Sequence, residues 1–130
     1  MQRVFIAVLF CVMSCSINDA ADGAKSNSQT AAACKSRKDL AGECYKVRGR
    51  LRAYTSNPAC RIWPVGTTHL LGVEDPDALP SNIACGEGFE VYADFLICPL
   101  TVPRQSGLQM VCVASASNLR ASEVKRDSGR

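Results

Sequence analysis

The sequence predicts a small all-β domain of five strands stapled by disulfides, and three observations predict it. Apolar or small residues alternate with charged ones through CYKVRGRLRAYT, residues 44–55, which is the signature of a half-buried strand. Turn-forming clusters then recur at short intervals, at Ser56-Asn57-Pro58, at Gly66-Thr67-Thr68 and at PRQSG, residues 103–107. Six cysteines, Cys34, Cys44, Cys60, Cys85, Cys98 and Cys112, run through the same stretch, and an even set in so short a domain reads as three disulfides.

The elements follow in order. The first strand, residues 44–55, carries Gly49 at its centre. The second, ACRIWPVG (59–66), contains Pro64, which has no amide to donate and belongs at an edge or bulge. The third, HLLGV (69–73), has Gly72 inside it. In residues 74–88, Pro76 and Pro80 exclude a long helix, but a helical turn can open at Asp75 with Pro76 in its first position. FEVYADFLICPL (89–100) is the fourth strand and LQMVCVASA (108–116) the fifth. Five strands with an irregular piece between the third and fourth give the order of an OB-like barrel, and Gly49 and Gly72 fall where a small barrel bends sharply. A small β-sandwich or an open meander accommodates the same elements. The single β domain is expected over residues 34–119, with a polar tail over 120–130.

Ahead of it, residues 1–16 read MQRVFIAVLFCVMSCS. Arg3, an apolar run from Val4 to Met13 and a small-residue exit make an export signal. The run falls short of the about 20 apolar residues that span a bilayer. Val12-Met13-Ser14-Cys15 resembles a bacterial lipobox, in which Cys15 becomes the lipidated first residue; cleavage after Ser16 is the alternative. Residues 16–33 are small and polar, as in a flexible linker. The expected location is therefore outside the cytoplasm, either in the bacterial cell envelope (lipid-anchored or periplasmic) or secreted. Any membrane association would run through the lipid anchor alone.

The segments CYKVRGRL, RIWPVGTTHLLGV, VYADFLICPL and MVCVASASNL together resemble a family of small exported bacterial proteins, some of them lipoproteins, that has no assigned activity. The resemblance spans roughly residues 44–119, and its most specific piece is the Arg-Ile-Trp, Gly-Thr, Leu-Gly-Val segment. It implies export and a compact β domain, and no function.

Cysteine positions suggest a pairing. Cys98 and Cys112 flank the PRQSG turn symmetrically, so an antiparallel hairpin centred there sets them face to face at a separation that a disulfide bridges. Cys60 with Cys85 would pin the irregular segment, and Cys34 with Cys44 the N-terminal one, with an exchange of partners between the last two pairs still open. Zinc is disfavoured, because there is no Cys-x-x-Cys and His69 is the only histidine.

The candidate ligand face is the polar side of the first strand. Lys46, Arg48, Arg50 and Arg52 repeat every second residue, about 6.8 Å apart and spanning roughly 20 Å. Arg61 and Trp63 share one side of the second strand, and OB-type barrels bind oligomers across strands two and three. One reading is a track for an anionic polysaccharide or for lipid headgroups, with Trp63 as a stacking platform. The other is a solvated face in which Glu90 and Asp94 of the fourth strand neutralise two of the cations and Trp63 is half buried in the core. The net charge is +3, or +2 once Arg3 leaves with the signal, too small to point to nucleic acid.

No catalytic constellation stands out. There is no nucleophile elbow and no phosphate loop, His69 reads as a turn residue, and Glu74, Asp75 and Asp77 read as a solvated acidic loop. No cofactor or metal is expected, and the chain reads as a non-enzyme. The function expected is an exported binding or interaction module. A structural role beside an envelope protein is the alternative. A protease inhibitor presenting Thr101-Val102-Pro103-Arg104-Gln105 is a third reading.

Overall fold

The structure, a computed structural model, describes residues 27–104 and 107–124. The expected export signal, the lipidation candidate Cys15, the linker up to residue 26, Gln105 and the last six residues of the tail lie outside the described residues.

A helix, α1 (Asn27–Lys35), precedes five strands: β1 (Tyr45–Ala53), β2 (Cys60–Pro64), β3 (Leu70–Val73), β4 (Phe89–Pro99) and β5 (Leu108–Glu123). A 3-10 turn, Pro76–Ala78, sits between β3 and β4, and the side chain of Asp75 caps it by accepting the Asp77 amide at 3.0 Å, with Pro76 at the predicted position. The strands close in the order β1-β2-β3-β5-β4, the OB-like ring. β1 runs antiparallel to both β2 and β4, while β3 and β5 are parallel. Closure leaves Pro64 harmless, since it ends β2 opposite Gly49.

The inward residues alternate as the sequence implies. Leu51 from β1, Ile62 from β2, Leu71 and Val73 from β3, Val91, Ala93, Phe95 and Ile97 from β4, and Val111 and Val113 from β5 form one core, onto which Ile83 and Leu79 of the irregular segment fold. Each fully buried large side chain here contributes about 1.5–3 kcal/mol. The two strand glycines are explained by contact. A Cβ at Gly49 would meet Ile62 Cγ2 at 2.7 Å and the Trp63 carbonyl oxygen at 3.1 Å; one at Gly72 would meet Leu108 and Pro58 at 2.7 Å.

Two elements differ from expectation. Residues 27–35, which straddle the stretch read as linker (to 33) and the start of the expected β domain, form α1, which lies on the outside of the ring against β5 in a layer that includes Ala31, Cys34, Leu40, Leu96 and Ala114. β5 also continues into the stretch expected as tail, to Glu123, because residues 120–123 bond in register with Phe89–Tyr92 of β4. On the way it bulges: Asn118 takes φ 51°, a left-handed conformation that Asn tolerates, between the pairs Asp94↔Ser117 and Tyr92↔Arg120.

The disulfides are Cys34–Cys112, Cys44–Cys98 and Cys60–Cys85. Only the last matches the predicted pairing; Cys98–Cys112 and Cys34–Cys44 do not form. The reason is layering. Cys98 and Cys112 do face each other in the β4–β5 ladder, but both belong to the outer layer, where residues 31–44 cover them, and each sulfur takes its partner from that segment. The bonds thus fasten the N-terminal segment to the ring instead of reinforcing a hairpin already held by hydrogen bonds. The loops closed are 78 and 54 residues long, and on the chain-entropy estimate each adds about 4 kcal/mol, against about 3 kcal/mol for a hairpin loop.

Candidate functional site

The outer faces of four adjacent strands form one surface. β1 contributes Lys46, Arg48, Arg50 and Arg52; β2 contributes Arg61 and Trp63; β4 contributes Glu90, Tyr92 and Asp94; and β5 contributes Arg120. Register sorts them into rows. One row reads Trp63, Arg50, Tyr92, Arg120, alternating aromatic and guanidinium across about 14 Å at the usual strand spacing. The next reads Arg61, Arg52, Glu90, Ser122, and a third runs Arg48, Asp94, Ser117. Six cations and two carboxylates therefore share the face, so a local excess of four positive charges sits on a chain whose net charge is +3.

The carboxylates do neutralise part of it. Arg48 Nη1 lies 3.3 Å from Asp94 Oδ1 and Arg50 Nε 3.6 Å from Glu90 Oε2. The bulge organises the first pair: Asn118 Nδ2 donates to Asp94 at 2.6 Å, and the Asn118 carbonyl accepts from Arg48 at 2.9 Å. Asp94 is accordingly held below the usual carboxylate range, first by the Asn118 hydrogen bond and then by Arg48 and the charge of Lys46. Arg52 and Arg120 have no ion pair with a described residue.

Trp63 is on the surface, 42% exposed, and not half buried in the core. Its parity with Arg61 and Val65 settles this, because Ile62 takes the inward position between them. The ring is fixed from two sides: Nε1 donates to the Thr67 carbonyl at 2.6 Å, and the Arg50 guanidinium lies 5.8 Å from the ring centroid. Arg61 is similarly held, donating to the Pro58 carbonyl and Ser56 hydroxyl while lying 4.7 Å from the Tyr54 ring centroid. Two shallow depressions flank the rows. One of about 300 Å³ is lined by Lys46, Arg48, Asp94 and Ser117, the other of about 280 Å³ by Arg52, Tyr54, Glu87 and Phe89.

Other residues considered from the sequence lie elsewhere. His69 is half buried and not a free turn residue: its Nε2 contacts Gln109 Oε1 at 2.9 Å, and Gln109, only 2% exposed, donates to the Thr101 carbonyl at 2.8 Å. Glu74 is occupied by Arg37, and Asp75 by its turn. Among the described residues, no group of three or more His, Cys, Asp or Glu side chains is placed to hold a metal ion, and no helix is long and apolar enough to cross a membrane. Tyr92 was legible by its parity with Glu90 and Asp94. Arg120 was hidden in a stretch without apolar alternation.

Searches against protein-family models, curated proteins and solved structures find no match to this chain. The three disulfides suit an oxidising compartment outside the cytosol.

Proposed function

We propose that the protein is an exported binding module that holds an acidic polysaccharide along the outer face of β1, from Lys46 to Arg52, with Trp63 and Tyr92 stacking on the sugar rings. The observation that carries this reading is the Trp63–Arg50–Tyr92–Arg120 row. Guanidinium forks match carboxylate and sulfate groups bidentately, and neighbouring aromatic faces suit flat, partly apolar ring surfaces. The ion pairs already present do not block such a ligand. Exposed pairs are worth only about 0–1 kcal/mol, so Arg48 can exchange Asp94 for a ligand anion at little cost, while Arg50, whose partner Glu90 is mostly buried, keeps its ion pair and offers its remaining N–H donors. Arg52 and Arg120, which have no such pair, give the polymer its first contacts.

The test is calorimetric binding of a polyuronate at low and moderate salt. The expected result is an affinity that falls steeply with ionic strength and drops about tenfold or more in the Arg50→Ser/Arg52→Ser variant. Equal binding by that variant removes the reading. Binding to anionic lipid vesicles without binding to polyuronate would replace the polysaccharide by a membrane surface.

A further inference from the structure

On the side of the ring away from the cationic rows there is a second recess. The parallel ladder between β3 and β5 ends at Val73↔Val111, and β5 continues paired with β4 only, while the chain turns away into the Pro76–Ala78 turn. Helix α1, tied to β5 by Cys34–Cys112, roofs the resulting gap. What remains open is a cleft of about 330 Å³. Its walls are mainly apolar, with Val73, Leu79, Val111 and Val113 from the ring and its cap and Ala33 from the helix, beside Gln29 and Thr30 of the helix. That volume and lining are those of a small-molecule site.

The rim decides what kind of molecule. Arg37 lines the cleft, but its guanidinium is already held between two carboxylates. Asp39 takes two of its hydrogen bonds, at 2.6 and 2.8 Å, and Glu74 accepts another at 3.0 Å. Both contacts raise its pKa, Asp39 more strongly, and Arg37 in turn lowers that of Asp39. The group is therefore an occupied cation carrying one surplus negative charge, and Asp75, also on the rim, adds a second. A fatty carboxylate would have to displace Asp39 or Glu74 to reach Arg37 while facing Asp75. A cation meets the surplus directly.

We propose that this cleft binds a small apolar molecule bearing an amine or quaternary ammonium group, its tail among Val73, Val111 and Val113 and its charge at Glu74 and Asp75. The site is independent of the polysaccharide face, and the two readings stand or fall separately.

Three probes with one tail, octyltrimethylammonium, octanoate and octanol, separate the terms when titrated calorimetrically into the full chain, with methyl NMR locating the site. The expected result is saturable one-to-one binding of the ammonium, about tenfold tighter than octanoate. Methyl shifts should be confined to Val73, Leu79, Val111 and Val113. Glu74→Gln/Asp75→Asn should bring the ammonium down to the affinity of octanol, and Ala33→Trp, which fills the cleft from an exposed helix position, should abolish binding of all three. Arg50→Ser/Arg52→Ser should bind the ammonium as the unaltered chain does. Octanoate binding as tightly as the ammonium, methyl shifts elsewhere, or no binding of any probe to the unaltered chain overturns the proposal.

Discussion

Replacing Cys34 and Cys112 together by alanine would show how α1 is held. The bond they form closes a loop of 78 residues, and its removal returns about 4 kcal/mol of chain entropy to the unfolded state. Cys34 is also 1% exposed, so losing its sulfur thins the layer between α1 and β5, adding about 1 kcal/mol. The helix has only slight apolar packing. It has nine residues, below the about 12–15 needed for an isolated helix to be even marginal in water, and the side chains it turns inward, Thr30, Ala31 and Cys34, are small. The ring has its own core and keeps Cys44–Cys98 and Cys60–Cys85. The expected outcome is a melting temperature lowered by roughly 20–40 °C, at about 4–8 °C per kcal/mol for a domain of this size. Hydrogen exchange should show α1 amides losing protection while β1 and β4 amides keep theirs at low temperature. Unchanged protection of α1 would refute the argument, since something other than the disulfide would then hold it.

Three further outcomes follow from the contacts. Gly49→Val places a branched side chain where even a Cβ lies 2.7 Å from Ile62, and a urea titration should register a loss of about 1–3 kcal/mol. Asn118→Ala forces a left-handed φ on alanine and removes the hydrogen bond to Asp94, for a loss of about 1–2 kcal/mol, whereas Asn118→Gly, which relieves the backbone, should lose less; the ranking of the two denaturation midpoints is the check. Asp94 has a depressed folded-state pKa, so its contribution to stability is full above its unfolded value of about 3.9 and is lost as pH falls through the lower folded value. Acid melts of the unaltered chain and of Asp94→Asn should therefore differ most above about pH 4 and draw together as pH falls further, through the folded value.

Much of the fold was legible because burial enforces it. The alternation in residues 44–55 gave β1 and its charged face, and Asp75-Pro76 announced the capped turn, since in each case the residue type is what the local backbone requires. The elements missed are those that burial does not enforce. Helix α1 buries only small residues and owes its place to a covalent bond. The end of β5 is exposed at every residue from Ser117 to Glu123 and is a strand by hydrogen bonding to β4. The cysteine partners illustrate the same limit. Parity and turn symmetry set Cys98 opposite Cys112, but they carry no information about which segment covers that side of the sheet. On the candidate face, the strand alternation located Lys46, Arg48, Arg50, Arg52, Arg61 and Trp63, whereas the row that joins Trp63 and Arg50 to Tyr92 and Arg120 exists only once the ring has closed.

Because Trp63 is the only tryptophan in the chain, its indole reports on that row without labelling. Titrating polyuronate while following Trp63 fluorescence and the indole Nε1–H resonance should give a saturable change in both, reversed by added salt and weakened in the Arg50→Ser/Arg52→Ser variant. Polymer binding that leaves the indole signals untouched would contradict the assignment of this face as the binding surface.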